Sequence, residues 1–203
     1  MQKVILWDLM DTVVVDPFSK HMPGFFGMSL EELFAQKSPR VWAQFERAEI
    51  DEETLFKRFF VDGRSFDGQA LKAHLVAQYR FVDGIEALLT ELHASGVPMH
   101  ALSNYPTWFR DLDAQLGVSR FMELGFISCL TGLRKPDPKA YLHPCSTLGH
   151  PPEAFIFVDD RRENIEAAAK LGMTGYLFDG DIPALRRRLQ AEGVHITAPE
   201  VAS

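Results

Sequence analysis

Short runs of consecutive apolar residues alternate along this chain with longer segments whose apolar positions recur every three or four residues. Val4–Trp7 is an unbroken apolar run, as expected of a strand buried on both faces of a parallel sheet. Runs at 97–102, 126–130, 155–158 and 174–178 read the same way, 126–130 being the weakest. Between them, helical periods occupy 84–95, 108–116, 138–148, 162–171 and 182–192. Such alternation predicts an α/β fold: a doubly wound, Rossmannoid parallel sheet with right-handed crossovers.

The first strand does not lead directly into a second. About 65 residues intervene, and their pattern is helical throughout. Ser29-Leu30-Glu31-Glu32 is a capping box ahead of Leu33 and Phe34. Val41, Trp42, Phe45 and Ala48 follow at helical spacing, Asp51 caps a segment carrying Leu55, Phe56, Phe59 and Phe60, and Leu71, Leu75 and Val76 mark another. An insertion at this point of an α/β sheet sits above the carboxyl ends of the strands, where ligands bind. The expected organisation is therefore a core from 1–16 and 82–203, with a helical cap from 17–81. A tail from about Thr197 reads as disordered; no repeat or low-complexity segment is evident.

Composition narrows the class. A chain of 203 residues buries roughly 70% of its unfolded surface and needs no disulfide or structural metal for a core. The net charge of −7 argues against a general nucleic-acid binder, which needs a basic face. Cys129 and Cys145 have no CxxC spacing and read as reduced, packed thiols. No stretch reaches the roughly 20 apolar residues of a membrane helix, and Asp8 follows the first apolar run too soon for a signal peptide. A soluble, cytoplasmic protein is expected, a monomer or homodimer without nucleic-acid or membrane partners.

The candidate chemistry lies where predicted strands end. Asp8-Leu9-Met10-Asp11-Thr12 follows the first strand, Ser103-Asn104 the second, and Asp159-Asp160 the fourth; Lys135 falls in Arg134-Lys135-Pro136-Asp137-Pro138. In a parallel sheet these ends lie side by side, so carboxylates, a hydroxyl and an ammonium share one crevice. Crowded carboxylates need a cation, and an all-oxygen donor set without histidine or cysteine suits Mg²⁺.

In combination and order, these motifs resemble those of the haloacid dehalogenase (HAD) superfamily, over essentially the whole chain. The helical insertion is similar to that family's C1-type cap. The resemblance implies Mg²⁺-dependent hydrolysis of a small phosphomonoester. Asp8 would be the nucleophile that forms an aspartyl-phosphate, and Thr12 would support its loop. Ser103 would hydrogen-bond the transferring phosphoryl group, and Lys135 would neutralise it. Asp160, with Asp159, Asp8 and the Met10 main-chain carbonyl, would hold the metal.

One position departs from the pattern. Phosphatases of this family usually carry a second aspartate two residues after the nucleophile, as general acid and base; here Met10 stands there and cannot transfer a proton. Losing such assistance typically costs about 10²–10⁴-fold. Asp11 is one candidate replacement, although in an extended loop its side chain points another way. Two related activities also lack that aspartate. The 2-haloacid dehalogenases need no metal, so the Asp159-Asp160 pair counts against them. Phosphonatases use a cap lysine, and the sequence places none of Lys20, Lys37, Lys57 and Lys72 in the site. A catalytically weak phospho-ligand-binding or regulatory protein is the remaining alternative.

A closer resemblance, to the plant plastid flavin mononucleotide hydrolases, rests on several segments. These are Trp7–Thr12, Asp16-Pro17-Phe18, Pro23–Met28, Phe60–Arg64, Ser103-Asn104-Tyr105-Pro106 and Arg134–Pro138. That branch shares the methionine, and the implied substrate is FMN. Phe25, Phe26, Trp42 and Tyr105 are the aromatic residues with which an isoalloxazine ring would pack, Tyr105 foremost because it follows Ser103-Asn104 and should face the crevice opening. Asn104 and Tyr105 are thus expected beside the substrate. Arg64 is a further cap residue within possible reach of it.

Overall fold

A computed structural model describes residues 2–197, so the tail expected to be disordered past Thr197 lies outside the described residues. In chain order, β1 (Val4–Trp7) is followed by α1 (Pro17–Phe26), α2 (Leu30–Gln36), α3 (Val41–Glu46), α4 (Glu52–Arg58) and α5 (Gly68–Val76). Then come α6 (Ile85–Ala94), β2 (Met99–Ser103), α7 (Phe109–Leu116), β3 (Glu123–Ile127), α8 (Ser128–Thr131) and α9 (Pro138–Leu148). The chain finishes with β4 (Phe155–Asp159), α10 (Arg162–Lys170), β5 (Thr174–Leu177) and α11 (Ile182–Ala191).

The strands form one parallel sheet in the order β3-β2-β1-β4-β5. Side chains alternate across a strand, and β1 shows why its run had to be wholly apolar. Ile5 and Trp7 face a core shared with Ile85, Leu88 and Leu92 of α6, Leu112 of α7 and Leu185 of α11. Val4 and Leu6 face the opposite core, with Tyr141 of α9 and Ala168 of α10. All four β1 side chains are at most 3% exposed, and each buried aliphatic contributes roughly 1.5–3 kcal/mol. After β3 the chain crosses β1 to begin β4 on its far side. That reversal opens a crevice beyond the carboxyl ends of β1 and β4.

The five-helix insertion leaves and rejoins the sheet through two paired linkers. The Val15 N–H donates to the Arg80 carbonyl at 3.0 Å and the Val82 N–H to the Val13 carbonyl at 3.0 Å. Its local signals act as the residue types dictate. Ser29 Oγ accepts the Glu32 N–H at 3.2 Å while a Glu32 carboxylate oxygen accepts the Ser29 N–H at 2.8 Å. Asp51 Oδ1 accepts the Thr54 N–H at 2.8 Å, starting α4. Inside, Phe26, Phe59, Phe60 and Phe66 pack with ring centroids between 5.0 and 5.8 Å.

Two expectations shift. The third strand runs Glu123–Ile127 rather than over 126–130. It is an edge strand, so its first three residues stay exposed or half-buried and only Phe126 and Ile127 are buried, and Ser128 begins a helical turn that leaves Leu130 47% exposed. The helix with Val41, Trp42 and Phe45 stops at Glu46, and Ala48 takes a left-handed backbone with φ 54°. Among the described residues no helix is long and apolar enough to cross a membrane, and both cysteines are free.

Gly175 on β5 has no room for a side chain: a Cβ there would lie 2.7 Å from Ile165 Cγ2 and 3.3 Å from the Ile165 carbonyl oxygen. Gly175→Ala is expected to lower stability by about 1–3 kcal/mol through overpacking, read as a lower Tm in thermal unfolding. A Tm equal to that of the parent would contradict this close fit of β5 against α10.

Candidate active site

Asp8 is the first residue beyond β1, and its N–H still donates to the Val158 carbonyl of β4 at 2.9 Å, so the sheet ladder fixes where its carboxylate begins. The residue is 6% exposed. Lys135 Nζ lies 2.9 Å from Asp8 Oδ1 and 2.7 Å from Asp159 Oδ2, bridging the ends of β1 and β4. Lys135 is 2% exposed and Asp159 is fully buried.

Neighbouring groups hold this lock in place. Asn104 Nδ2 donates to the Lys135 carbonyl at 2.9 Å, and the Lys135 N–H returns a bond to Asn104 Oδ1 at 2.8 Å. Asp159 Oδ1 accepts the Arg161 N–H at 2.7 Å, and Asn164 Nδ2 donates to both Asp159 oxygens at 3.0 and 3.1 Å. Asn164, near the start of α10, is thus a clamp on Asp159. Its only sequence signal was its place a few residues after the aspartate pair.

Asp8, Asp159 and Asp160 each offer an oxygen within 4.8 Å of the others. Burial pushes the Asp160 carboxyl up to about 6, and the charges of Asp8 and Asp159 add to the shift. Burial also raises Asp159, reinforced by Asp8 and opposed by Lys135. Burial alone would lower Lys135, but the Asp8 and Asp159 carboxylates outweigh it and hold the ammonium above the ordinary lysine value. One ammonium cannot offset three carboxylates. Asp160 Oδ1 is buried with no hydrogen-bond partner, so an all-oxygen trio with an unfilled acceptor fits a hard divalent cation. The hydroxyls of Ser103 and Thr12 are likewise buried without partners, and buried polar groups are normally paired.

A cavity of about 210 Å³ opens onto this cluster. Asp8, Met10, Asn104, Lys135, Asp160 and Arg161 wall it from the sheet; Asp16, Phe18, Phe34, Lys37, Trp42 and Glu46 wall it from the insertion. Several expected substrate contacts differ. Tyr105 lines the cavity as expected but is only 6% exposed; its hydroxyl is 2.6 Å from that of Tyr79 and its N–H donates to Ser128 Oγ. Phe25 and Phe26 belong to the aromatic interior of the insertion and do not line the cavity, whereas Trp42 does. Arg64 is held by Asp62 and Gln36 over the Phe60 ring, off the cavity. Lys37, which the sequence did not place in the site, stands on its wall with Phe18 and Phe34.

Asp11 is exposed, with a left-handed φ of 53° that aspartate tolerates. Its Oδ1 accepts the Asp16 N–H at 3.0 Å. Asp16 caps α1, accepting the Phe18 N–H at 2.9 Å. Burial raises the Asp16 carboxyl to about 6, with the Phe18 N–H and Arg161 opposing and Asp11 and Asp8 adding.

A buried lysine among three clustered carboxylates thus lies at the switch point of a 3-2-1-4-5 parallel sheet. The chain belongs to the haloacid dehalogenase-like hydrolase family, whose model matches residues 2–172. Among its relatives, flavin mononucleotide hydrolase 1 of Arabidopsis thaliana, named as chloroplastic, is 40% identical over 98% of this chain and 80% of its own length. A sesquiterpene phosphatase of Aspergillus oryzae is 29% identical over 73% of this chain and 77% of its own. A HAD-family enzyme of Bacteroides thetaiotaomicron, solved as a magnesium complex, shares the fold with a TM-score of 0.74 at 18% identity, over 92% of this chain and 98% of that one.

The raised Asp160 carboxyl has a definite sign. Its folded-state value of about 6 lies above the unfolded one, so its contribution is full below pH ~4 and is lost as pH rises through ~6. Asp160→Asn, melted in chelator, is expected to unfold at a higher temperature than the parent at pH 8 and at the same temperature at pH 4. A lower Tm at pH 8 would mean that the trio is not under electrostatic stress.

Proposed function

We propose that this protein hydrolyses FMN to riboflavin and inorganic phosphate, through an aspartyl-phosphate on Asp8. The observation that carries the phosphatase reading is Lys135 locked between Asp8 and Asp159, with the unpartnered Ser103 and Thr12 hydroxyls in the same motifs. The choice of FMN is supported by the name of the Arabidopsis relative and by the aromatic wall of the cavity. Asp8, Asp159, Asp160 and the Met10 carbonyl would hold Mg²⁺, which when bound supplies positive charge against the carboxylates and the phosphoryl oxygens.

In this mechanism an Asp8 oxygen attacks phosphorus while the Lys135 ammonium offsets charge on both partners. Ser103 Oγ donates to a phosphoryl oxygen, and Asn104 keeps Lys135 aimed through its paired backbone bonds. Thr12 supports the nucleophile loop. Met10 leaves no carboxyl two residues after Asp8, and Asp11 has an acceptor oxygen tied to the Asp16 backbone. Asp16 lines the cavity where the core meets the insertion, with a value of about 6 that suits both release and uptake of a proton near neutrality, whereas the other cavity carboxyl on that side, Glu46, is engaged by Arg134 and Trp42. It would protonate the departing ribityl oxygen as the P–O bond breaks. As a carboxylate it would then take a proton from the water that attacks phosphorus and frees Asp8.

The core of 1–16 and 82–203 supplies the chemistry in this reading, and the cap of 17–81 closes over the substrate. The sheet and both helix layers are complete within one chain, consistent with a monomer or homodimer acting on a small molecule. Two free thiols support a reducing compartment such as the cytoplasm.

Phosphate release from a panel including FMN, with Mg²⁺ and with EDTA, tests the reading. Release is expected to need Mg²⁺, to favour FMN and to vanish in Asp8→Asn. A folded sample that releases no phosphate from any ester would overturn it in favour of a binding protein. Asp16→Asn keeps the helix cap, because asparagine caps as well as aspartate. It is expected to lower kcat for FMN by about 10²–10⁴-fold and to remove the pH limb near 6, with a smaller loss on para-nitrophenyl phosphate, whose leaving group needs no proton. An unchanged kcat and pH profile would remove Asp16 from the mechanism.

A further inference from the structure

Two neighbouring side chains on the insertion's wall of the cavity are each in an unfavourable state. Lys37 is 8% exposed, yet among the described residues its Nζ makes no hydrogen bond and no ion pair. Burial holds it below the ordinary lysine value, opposed only by the charge of Glu46. Glu46 pairs elsewhere and makes no ion pair with it. One of its carboxylate oxygens accepts Arg134 Nε at 2.6 Å and the other accepts Trp42 Nε1 at 3.0 Å. An ammonium on a largely covered side chain keeps only part of its hydration, and without an acceptor that loss is uncompensated. Phe34 shows the reverse defect, a large ring left 56% exposed. Nζ lies 5.7 Å from the Phe34 centroid and 5.9 Å from that of Phe18, and these ring faces offset only part of the missing acceptor.

The position of Lys37 is fixed by backbone pairing. The Ser38 N–H donates to the Phe59 carbonyl at 2.7 Å, the Val61 N–H to the Gln36 carbonyl at 2.9 Å, and the Lys37 N–H closes α2 on the Leu33 carbonyl at 2.8 Å. The ammonium is therefore presented from a small ladder between the ends of α2 and α4. Trp42 packs edge-on against Phe18, with centroids 5.2 Å apart, and completes the wall.

We infer that Lys37, Phe18, Phe34 and Trp42 form the leaving-group subsite, which takes a planar heteroaromatic ring with a carbonyl or anionic edge turned to the Lys37 ammonium. Such a ring supplies at once the acceptor that Lys37 lacks and the cover that Phe34 lacks. Phosphate is the wrong occupant, because aromatic faces repel an anion and the phosphoryl position is served by Lys135. On the FMN reading, on which the choice of ring rests, the occupant is the isoalloxazine, whose N1–C2 carbonyl edge is electron-rich.

The test compares the parent with Lys37→Met, Lys37→Arg and Phe34→Ala. Riboflavin binding is followed by flavin fluorescence, and kcat/KM is measured for FMN, other planar-ring phosphomonoesters and glycerol phosphate. Lys37→Met is expected to weaken riboflavin binding about 10- to 100-fold and to lower the FMN-to-glycerol-phosphate ratio of kcat/KM by the same factor, mostly through KM. Lys37→Arg should recover most of the loss, and Phe34→Ala should show a smaller one. Lys37→Met should also melt no lower than the parent, because it removes a partly dehydrated charge with no protein partner; a lowered Tm with the substrate ratio intact would make Lys37 a structural clamp and overturn the subsite. If the parent prefers FMN and Lys37→Met leaves that preference intact, the subsite fails while the FMN reading stands. If the parent prefers a different planar-ring ester and Lys37→Met erases that preference, the subsite stands while FMN fails as the substrate.

Discussion

The ion lock of Lys135 between Asp8 and Asp159 is the constraint on which the rest of this molecule turns. Three carboxylates gathered within a few ångströms repel one another, and burial deepens the penalty because water no longer screens them. One ammonium at 2.7 and 2.9 Å offsets only part of that charge. The remaining arrangement serves the lock. Asn104 holds the Lys135 backbone, while Asn164 and the Arg161 N–H fix the orientation of Asp159. Asp160 is the carboxylate left without full compensation, so burial and the charges of Asp8 and Asp159 raise its carboxyl.

Such a cluster is tolerable because the sheet beneath it is so firmly packed. Each β1 side chain is buried in one of two cores, and the parallel ladder runs from β1 into Asp8 itself through the Val158 carbonyl. Stability accumulated in the two helix layers offsets an unfavourable concentration of charge at one edge. The strand order converts sequence distance into proximity: β1, β2 and β4 are neighbours, so motifs some 150 residues apart by numbering meet at one crevice. Moving any one of those strands would separate Lys135 from its partners.

This logic also explains what could be read from the sequence. The residues of the lock lie at or just beyond strand ends or in a proline-flanked turn, where a polar residue after an apolar run is conspicuous. The insertion's helices were legible through their caps, Ser29 with Glu32 and Asp51 with Thr54. Its inner wall was not, because helical periodicity marks which residues are apolar and is silent on whether they face a core or a cavity. Phe25 and Phe26 turned out to be interior, whereas Phe18 and Phe34 line the cavity. Tyr105 follows the Ser103-Asn104 motif as expected, but a hydroxyl bond to Tyr79, contributed from just beyond α5, draws its ring inward. Lys37 looked like any surface lysine; only the tertiary commitment of Glu46 to Arg134 and Trp42 reveals that it has no partner.

Met10 removes a carboxyl from the position two residues after the nucleophile, and the surrounding structure indicates what kind of replacement is admissible. A proton carrier needs burial enough to hold a proton near neutrality and an oxygen not already consumed by structure. Asp11 lies exposed on a left-handed turn with one oxygen holding the Asp16 N–H, so it shapes the loop. Asp16 takes the Phe18 N–H with one oxygen and keeps the other unbonded among the described residues, at the point where the chain leaves the sheet for the insertion. If the cap closes over substrate, a carboxyl at that junction would move with the cap as well as with the nucleophile loop. Proton transfer would then be coupled to closure: the groups that recognise the leaving group and the group that protonates it belong to the same moving wall. Substrates too small to engage Phe34 and Lys37 would close that wall less often, which ties ring recognition to turnover without any further catalytic residue on the sheet.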